Sequence, residues 1–400
     1  MRRHSRGEAL RVRTLVVTPA IAPAVGGAES LAANLCGAIL RSGDELDLVT
    51  GTSPYQSLQD VITEGGGQVV VLARKDPGHR LHWDHETFYR AETVFRLVEE
   101  RHFDQIWVLS HDAAISTAIA LAGRVERSRV SAIFSEIAMD RMAFAAARYR
   151  FAAELKCVDR FVCLSERYRS VAIESGAPPD KIVVNPLGID MRQFARQEHV
   201  FSGAIKVIVC PSRFSERKGQ LDLLRAFAAF GTAQPSATLV LAGAPSAGTT
   251  GYLGQINEQV RELGISQKVI VRTDVSNADM PGLLQASDLV VQPSYYEGLG
   301  YSAIEAMAVG TPTILTDVAG FNEFAVDGIN CRLVQPRDVE GLAAAMSLLN
   351  GDVNIQREIA AGGLATASAR FDIDVNYRSL RVDPVPATTE AFSPAVSDVG

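Results

Sequence analysis

Short runs of valine, isoleucine and leucine recur along the whole chain. They read RTLVVTP, ELDLVT, QVVVLA, QIWVLS, VSAIFS and RFVCLS in the first half, then KVIVCPS, ATLVLAG, KVIVRT, DLVVQPS, TPTILTD and CRLVQP. Few polar positions interrupt them, so both faces of each strand need cover, which is the condition of parallel strands sheathed by helices. The segments between them carry apolar residues at helical spacing. The alternation predicts an α/β protein. Both halves open alike, with a strand, a glycine-bearing loop and a helix: RTLVVTPAIAPAVGGAESLAANL in the first, VIVCPSRFSERKGQLDLLRAF in the second. The rhythm breaks over residues 188–204, which are polar and irregular. Two doubly wound, Rossmann-like domains facing across a cleft account for this pattern. They are placed at residues 1–195 and 196–365. A helix over 366–381 is expected to cross between them, and the Pro-, Ser- and Thr-rich residues 382–400 are expected to be disordered.

Composition narrows the partners. The chain has 400 residues, 47% hydrophobic and 21% charged, which is material for two cores. A formal charge of −7 argues against nucleic acid as a partner. No apolar run approaches the roughly 20 residues of a membrane span, and the first residues lack the apolar core of a signal peptide, so a cytoplasmic location is expected. The five cysteines, Cys36, Cys157, Cys163, Cys210 and Cys331, lack pairing spacing and are expected as buried reduced thiols. His82 and His85 in HWDH have weak ligand spacing, so no metal is expected.

The chemistry concentrates in EGLGYSAIEAMAVGTP, residues 297–312. Gly298 and Gly300 loosen the chain before a helix predicted over Ser302 to Val309, and Gly310 and Pro312 end it. Glu297 then lies in the loop and Glu305 in the first helical turns, both at the crevice where open parallel sheets bind ligands. Carboxylates there can accept from sugar or ribose hydroxyls, and the amides of Gly298, Leu299 and Gly300 can face a phosphate. Gly26 and Gly27 precede the first helix, with a spacing that disfavours the nicotinamide fingerprint. Arg213 and Lys218 flank the corresponding loop of the second half, where two cations can neutralise a diphosphate without a metal.

These residues together resemble the retaining nucleotide-sugar glycosyltransferases of family 4, with the GT-B fold. The resemblance runs over residues 13–380 and rests on the early GG pair, NPLGIDMRQF (Gly188, Asp190, Phe194), SRFSERKG, and EGLGYSAIEAMAVGTPTILTDVAGFNEF with its Glu-x7-Glu spacing and Glu323. It implies that Glu297 contacts the donor sugar or its phosphate neighbourhood and that Glu305 accepts from the nucleotide ribose. Arg213 and Lys218 would hold the diphosphate, Gly27 would lie near its distal phosphate, and His111 near the sugar and acceptor. Catalysis is thereby assigned to His111, Arg213, Lys218 and Glu297. The chain departs from the family's pattern at Ser212, in AGFNEF, at Cys331 and at Glu136, which bears on the acceptor more than on the donor.

The implied reaction moves a sugar from a nucleotide-diphosphate sugar to a hydroxyl, with no cofactor and no metal. No carboxylate stands out as a nucleophile, so same-face substitution is expected, with the departing phosphate taking the acceptor's proton. A nucleotide-sugar 2-epimerase and a silent nucleotide-sugar-binding subunit are the alternatives. DRMAFAAARYRFAAELKCVDR, residues 139–159 and onward to Arg160, carries Arg141, Arg148, Arg150, Lys156 and Arg160. As a basic amphipathic helix it would suit peripheral contact with an anionic membrane and a lipid-linked, cell-envelope glycan acceptor.

Overall fold

The structure is a computed structural model. It describes residues 11–22, 27–72, 82–121, 128–134, 158–194, 201–244 and 251–383. Two parallel sheets form the frame. The first runs β3-β2-β1-β4-β5-β6-β7, from β1 (Arg13–Thr18), β2 (Glu45–Thr50), β3 (Val69–Val71), β4 (Gln105–Val108), β5 (Arg129–Phe134), β6 (Arg160–Cys163) and β7 (Ile182–Val184). Its helices are α1 (Gly27–Arg41), α2 (Gln56–Glu64), α3 (His82–Glu100), α4 (His111–Ala120) and α5 (Glu166–Glu174).

The second sheet runs β10-β9-β8-β11-β12-β13. Its strands are β8 (Val207–Pro211), β9 (Thr238–Ala242), β10 (Val269–Arg272), β11 (Leu289–Gln292), β12 (Thr313–Thr316) and β13 (Arg332–Val334). Around it lie α6 (Gln220–Ala233), α7 (Tyr252–Glu262), α8 (Met280–Gln285), α9 (Tyr301–Ala308), α10 (Val339–Leu349) and α11 (Val353–Arg370), and the last helix among the described residues is α12 (Ile373–Leu380). The central strands are buried along their length, β4 and β11 throughout, as their unbroken apolar runs require. Strand order reverses between β1 and β4 and between β8 and β11, which opens a crevice at each sheet's carboxyl edge.

The end of the chain returns to the first sheet. Ile189 donates to the Phe371 carbonyl at 2.9 Å and Ile373 donates back to Ile189 at 3.1 Å. Gly188 has φ +114°, and a Cβ there would collide with the Phe371 carbonyl, so the crossing requires glycine. The predicted helix 366–381 is accordingly divided: α11 runs to Arg370, the Phe371 carbonyl is given to the crossing, and Asp372 caps α12 by accepting from Asp374 at 2.9 Å. On the far side, Gln105 donates to Tyr377 at 2.7 Å, Tyr377 donates to Asp44 at 3.0 Å, and Arg381 pairs with Asp44 at 2.7 Å. Arg41 likewise pairs with Asp374 at 2.6 Å.

The basic segment needs one correction. Arg160 opens β6, where its guanidinium stacks over Trp107 at 5.6 Å and donates to Ser131 and to the Leu380 carbonyl. It belongs to the sheet and not to a helical basic face, because RFVC is a buried strand sequence. Arg141, Arg148, Arg150, Lys156 and Glu136 lie outside the described residues, as does the tail from residue 384. Among the described residues no helix is long and apolar enough to cross a membrane. Cys36, Cys163, Cys210 and Cys331 are buried and free; Cys157 is outside the described residues.

Candidate active site

β11 delivers the chain into a tight loop ahead of α9. The helix begins at Tyr301, one residue earlier than its sequence predicts, because Gly300 takes φ +90° as the residue before it. A Cβ at Gly300 would strike the buried Phe321 ring, and one at Gly298 would strike the Tyr168 hydroxyl at the start of α5. Glycine is therefore needed at both positions: the loop is clamped between Phe321 of its own unit and Tyr168 of the other. Glu323 adds a second tie, accepting from the Arg167 amide at 2.9 Å.

Glu297, 5% exposed, is the electrostatic centre of this loop. Its Oε1 receives the Lys218 ammonium at 2.5 Å and the Ser294 hydroxyl at 2.6 Å, and its Oε2 faces the Arg217 guanidinium at 3.4 Å. Burial opposes ionisation of Glu297, but the charges of Lys218 and Arg217 and the hydrogen bonds from Lys218 and Ser294 prevail and hold its pKa below the ordinary value. Lys218 ends a 3-10 turn, Glu216–Lys218, closed by Gly219 at φ +66°. A side chain at Gly219 would collide with the Pro293 carbonyl, which is how the turn packs directly on the Glu297 loop. The cation read from sequence as a diphosphate ligand thus rests on the carboxylate in this structure.

Glu305 is the electrostatic opposite. It lies in the second turn of α9, and among the described residues its carboxyl has no hydrogen-bond partner. Burial alone pushes its pKa up to about 7. Arg213 is exposed at the end of β8 and makes no ion pair among the described residues. Its loop is fixed by Gln220, which donates to the Ser212 hydroxyl and to the Arg213 carbonyl, each at 2.9 Å.

One cavity of about 950 Å³ between the two units collects these groups. Gly27, Arg213, Lys218, Glu297, Gly298, Leu299, Gly300 and Glu305 all line it. Gly27 is the first residue of α1 and lies against Tyr301, the first residue of α9. Two helix N-termini, one from each unit, therefore converge on one space, with positive potential from both. Gly26 is outside the described residues; His111 opens α4 after β4, but its side chain is likewise outside them. Among the described residues no group of three or more His, Cys, Asp or Glu could hold a metal ion.

Residues 191–361 match the family model for Glycosyl transferases group 1, and residues 25–193 match that for Glycosyltransferase Family 4. The chain belongs to the group 1 glycosyltransferases. It is 35% identical over 164 residues to mannosylfructose-phosphate synthase of Agrobacterium fabrum, covering 40% of this chain and 36% of the relative. It is 30% identical over 214 residues to D-inositol 3-phosphate glycosyltransferase of Mycobacterium marinum, covering 52% of this chain and 45% of the relative. The chain thus spans less than half the length of these two curated relatives. The fold is that of a crystal structure of Anabaena HepE in complex with UDP and glucose, with a TM-score of 0.76 at 21% identity over 92% of this chain and 98% of that one.

Within this group 1 glycosyltransferase, three contributors to the site escape a reading of motifs. Ser294 and Arg217 complete the shell of Glu297, and Tyr168 presses on Gly298 from the other unit. Arg217 had a visible signal, since it adjoins Lys218 in SERKG. Tyr168 had none, because its contact is made across units.

Proposed function

We propose that the protein transfers a sugar, with retention of configuration, from a nucleotide-diphosphate sugar to a hydroxyl acceptor, without a metal. The observation that carries this reading is the convergence of two helix N-termini, Arg213 and Lys218 on the cavity that also holds an unpartnered Glu305. The cationic side suits a diphosphate. Glu305 suits a ribose, whose hydroxyls donate to the carboxylate. Glu297 faces the sugar and its phosphate neighbourhood, and the amides of Gly298, Leu299 and Gly300 complete the phosphate cradle. His111 is assigned to the sugar and acceptor side, and Gly26 with Gly27 to the distal phosphate.

In the step itself, the bond between the anomeric carbon and the leaving phosphate oxygen lengthens toward an oxocarbenium-like state. The acceptor oxygen enters on the same face and its proton passes to that phosphate oxygen. Arg213 and Lys218 stabilise the charge growing on the phosphate. The family relatives and the UDP-bound structure of the shared fold support a nucleotide-sugar donor.

Titration of the protein with UDP, GDP and ADP, followed by turnover of the matching nucleotide sugar with and without EDTA, tests this reading. A tight nucleoside diphosphate and EDTA-insensitive turnover are expected. Absence of binding by all three, or strict dependence on magnesium or manganese, would overturn it in its respective part. Turnover without any acceptor to an epimerised donor would favour the isomerase.

The acceptor is proposed to be a hydroxyl-bearing glycan, lipid-linked if the basic segment meets a membrane. Co-sedimentation with anionic but not neutral vesicles, weakened by salt and by Arg148→Glu with Arg150→Glu, is the expected result. Salt-insensitive absence of binding would leave a soluble acceptor.

A further inference from the structure

The two cations on Glu297 are held in different ways. Lys218 has one side-chain partner among the described residues, Glu297 itself. Arg217 is fastened to the segment that carries the carboxylate: its Nη1 donates to the Tyr296 carbonyl at 2.6 Å, and its own carbonyl accepts from the Tyr295 amide at 2.8 Å. That segment is in turn pinned from outside the cavity. The Tyr295 hydroxyl donates to Asp222 at 2.6 Å, and the Tyr295 ring lies 4.2 Å beneath the Arg337 guanidinium. The Arg217 side chain is therefore tied to the segment that carries Glu297 by a second contact, whereas the Lys218 side chain is held there by a single ion pair.

This difference matters once a diphosphate enters, a step that rests on the donor site proposed above. A phosphate that draws the Lys218 ammonium toward itself takes counter-charge away from Glu297. If the ammonium leaves, Glu297 remains buried with Ser294 and Arg217 as its partners, and a buried carboxylate without a counter-charge takes up a proton. We propose that Arg217 is the standing counter-ion of Glu297, a positioning residue that keeps the carboxylate ionised while Lys218 transfers to the donor's phosphate.

Of the charged and titratable groups near Glu297, Lys218 and Arg217 come from the 3-10 turn. Arg213 and Glu305 share the cavity, as do Arg41, Asp190, Arg192, Tyr55, Tyr168 and Tyr301 on its walls. Cys210 is the penultimate residue of β8, and burial pushes its thiol up to about 11, so it stays neutral. Glu305 titrates on nucleotide binding in every variant that retains it, so its contribution cancels in a comparison at fixed pH.

Proton linkage of UDP binding tests the proposal, measured on the full chain by calorimetry in buffers of different ionisation enthalpy at one pH. Arg217→Gln is expected to take up as much as one more proton per UDP bound than wild type. Arg217→Lys, which keeps the charge, is expected to match wild type, as is Arg217→Gln with Glu297→Gln, which removes the titrating group. An Arg217→Gln variant that binds UDP with the wild-type proton count overturns the inference. If that variant does not bind UDP, recovery of binding in the double variant supports it and continued failure overturns it. Wild-type protein that binds none of UDP, GDP and ADP would remove the donor-site reading, and this inference with it.

Discussion

Lys218→Ala is expected to lower turnover of the nucleotide sugar by at least about a hundredfold, the scale of losing one preorganised charge contact to the transition state. The structure adds a complication that the sequence does not contain. Lys218 also neutralises Glu297, which is 5% exposed, and removing one partner of a buried pair costs about 3–5 kcal/mol of stability. Arg217 and Ser294 stay on Glu297, so the lower end of that range is expected here. A second substitution separates the two effects. Glu297→Gln in the Lys218→Ala background removes the carboxylate that has lost one of its two counter-charges and leaves only the part-exposed Arg217 without an ion-pair partner, so denaturant melts should recover part of the lost stability while turnover stays low. Near wild-type turnover in the single variant would sink the assignment of Lys218 to the phosphate. Recovery of turnover in the double variant would reduce Lys218 to a structural partner of Glu297.

That complication marks where sequence reasoning stopped. The strands were legible because parallel strands are buried on both faces and so cannot alternate: LVV in β1 and QIWV in β4 leave little else to be. The Glu-x7-Glu spacing was legible because Gly298 and Gly300 force a loop and α9 follows at once, which sets one acid in the loop and the other in the helix. What each acid touches depends on contacts distant in sequence. Glu297 meets Lys218 across 79 positions, and Gly298 meets Tyr168 from the other unit; no local pattern encodes either. The chain crossing shows the same limit. Gly188 in NPLGIDMRQF and the helix expected over 366–381 could each be read separately, but their joint at the Phe371 carbonyl is a contact between segments distant in sequence. Arg160 opens the strand that RFVCLS predicts and also continues the charge spacing of residues 139–159; β6 takes it into the stack on Trp107 and out of the basic run.

Nucleotide affinity is expected to depend on pH through Glu305, and the sign follows from its surroundings. Burial holds the free carboxyl at about 7, so near neutrality it is a mixture of acid and carboxylate. Ribose hydroxyls donate to the carboxylate, which lowers the pKa in the complex. Between the two values binding releases a proton, so affinity rises with pH up to about 7 and is flat above it, where both states are ionised. UDP has a terminal phosphate that itself titrates near about 6, so the informative quantity is the ratio of wild-type affinity to that of Glu305→Gln. Glu305→Gln keeps the shape and an acceptor oxygen but cannot ionise, so this ratio should climb from pH 5.5 to 7 and then level off. At the plateau, Glu305→Ala should weaken UDP binding by about 10- to 100-fold, matching the roughly 1.5–3 kcal/mol of hydrogen bonds to a charged group. A ratio that does not change with pH would mean that Glu305 is not ionised by the bound nucleotide, and would move the ribose away from α9.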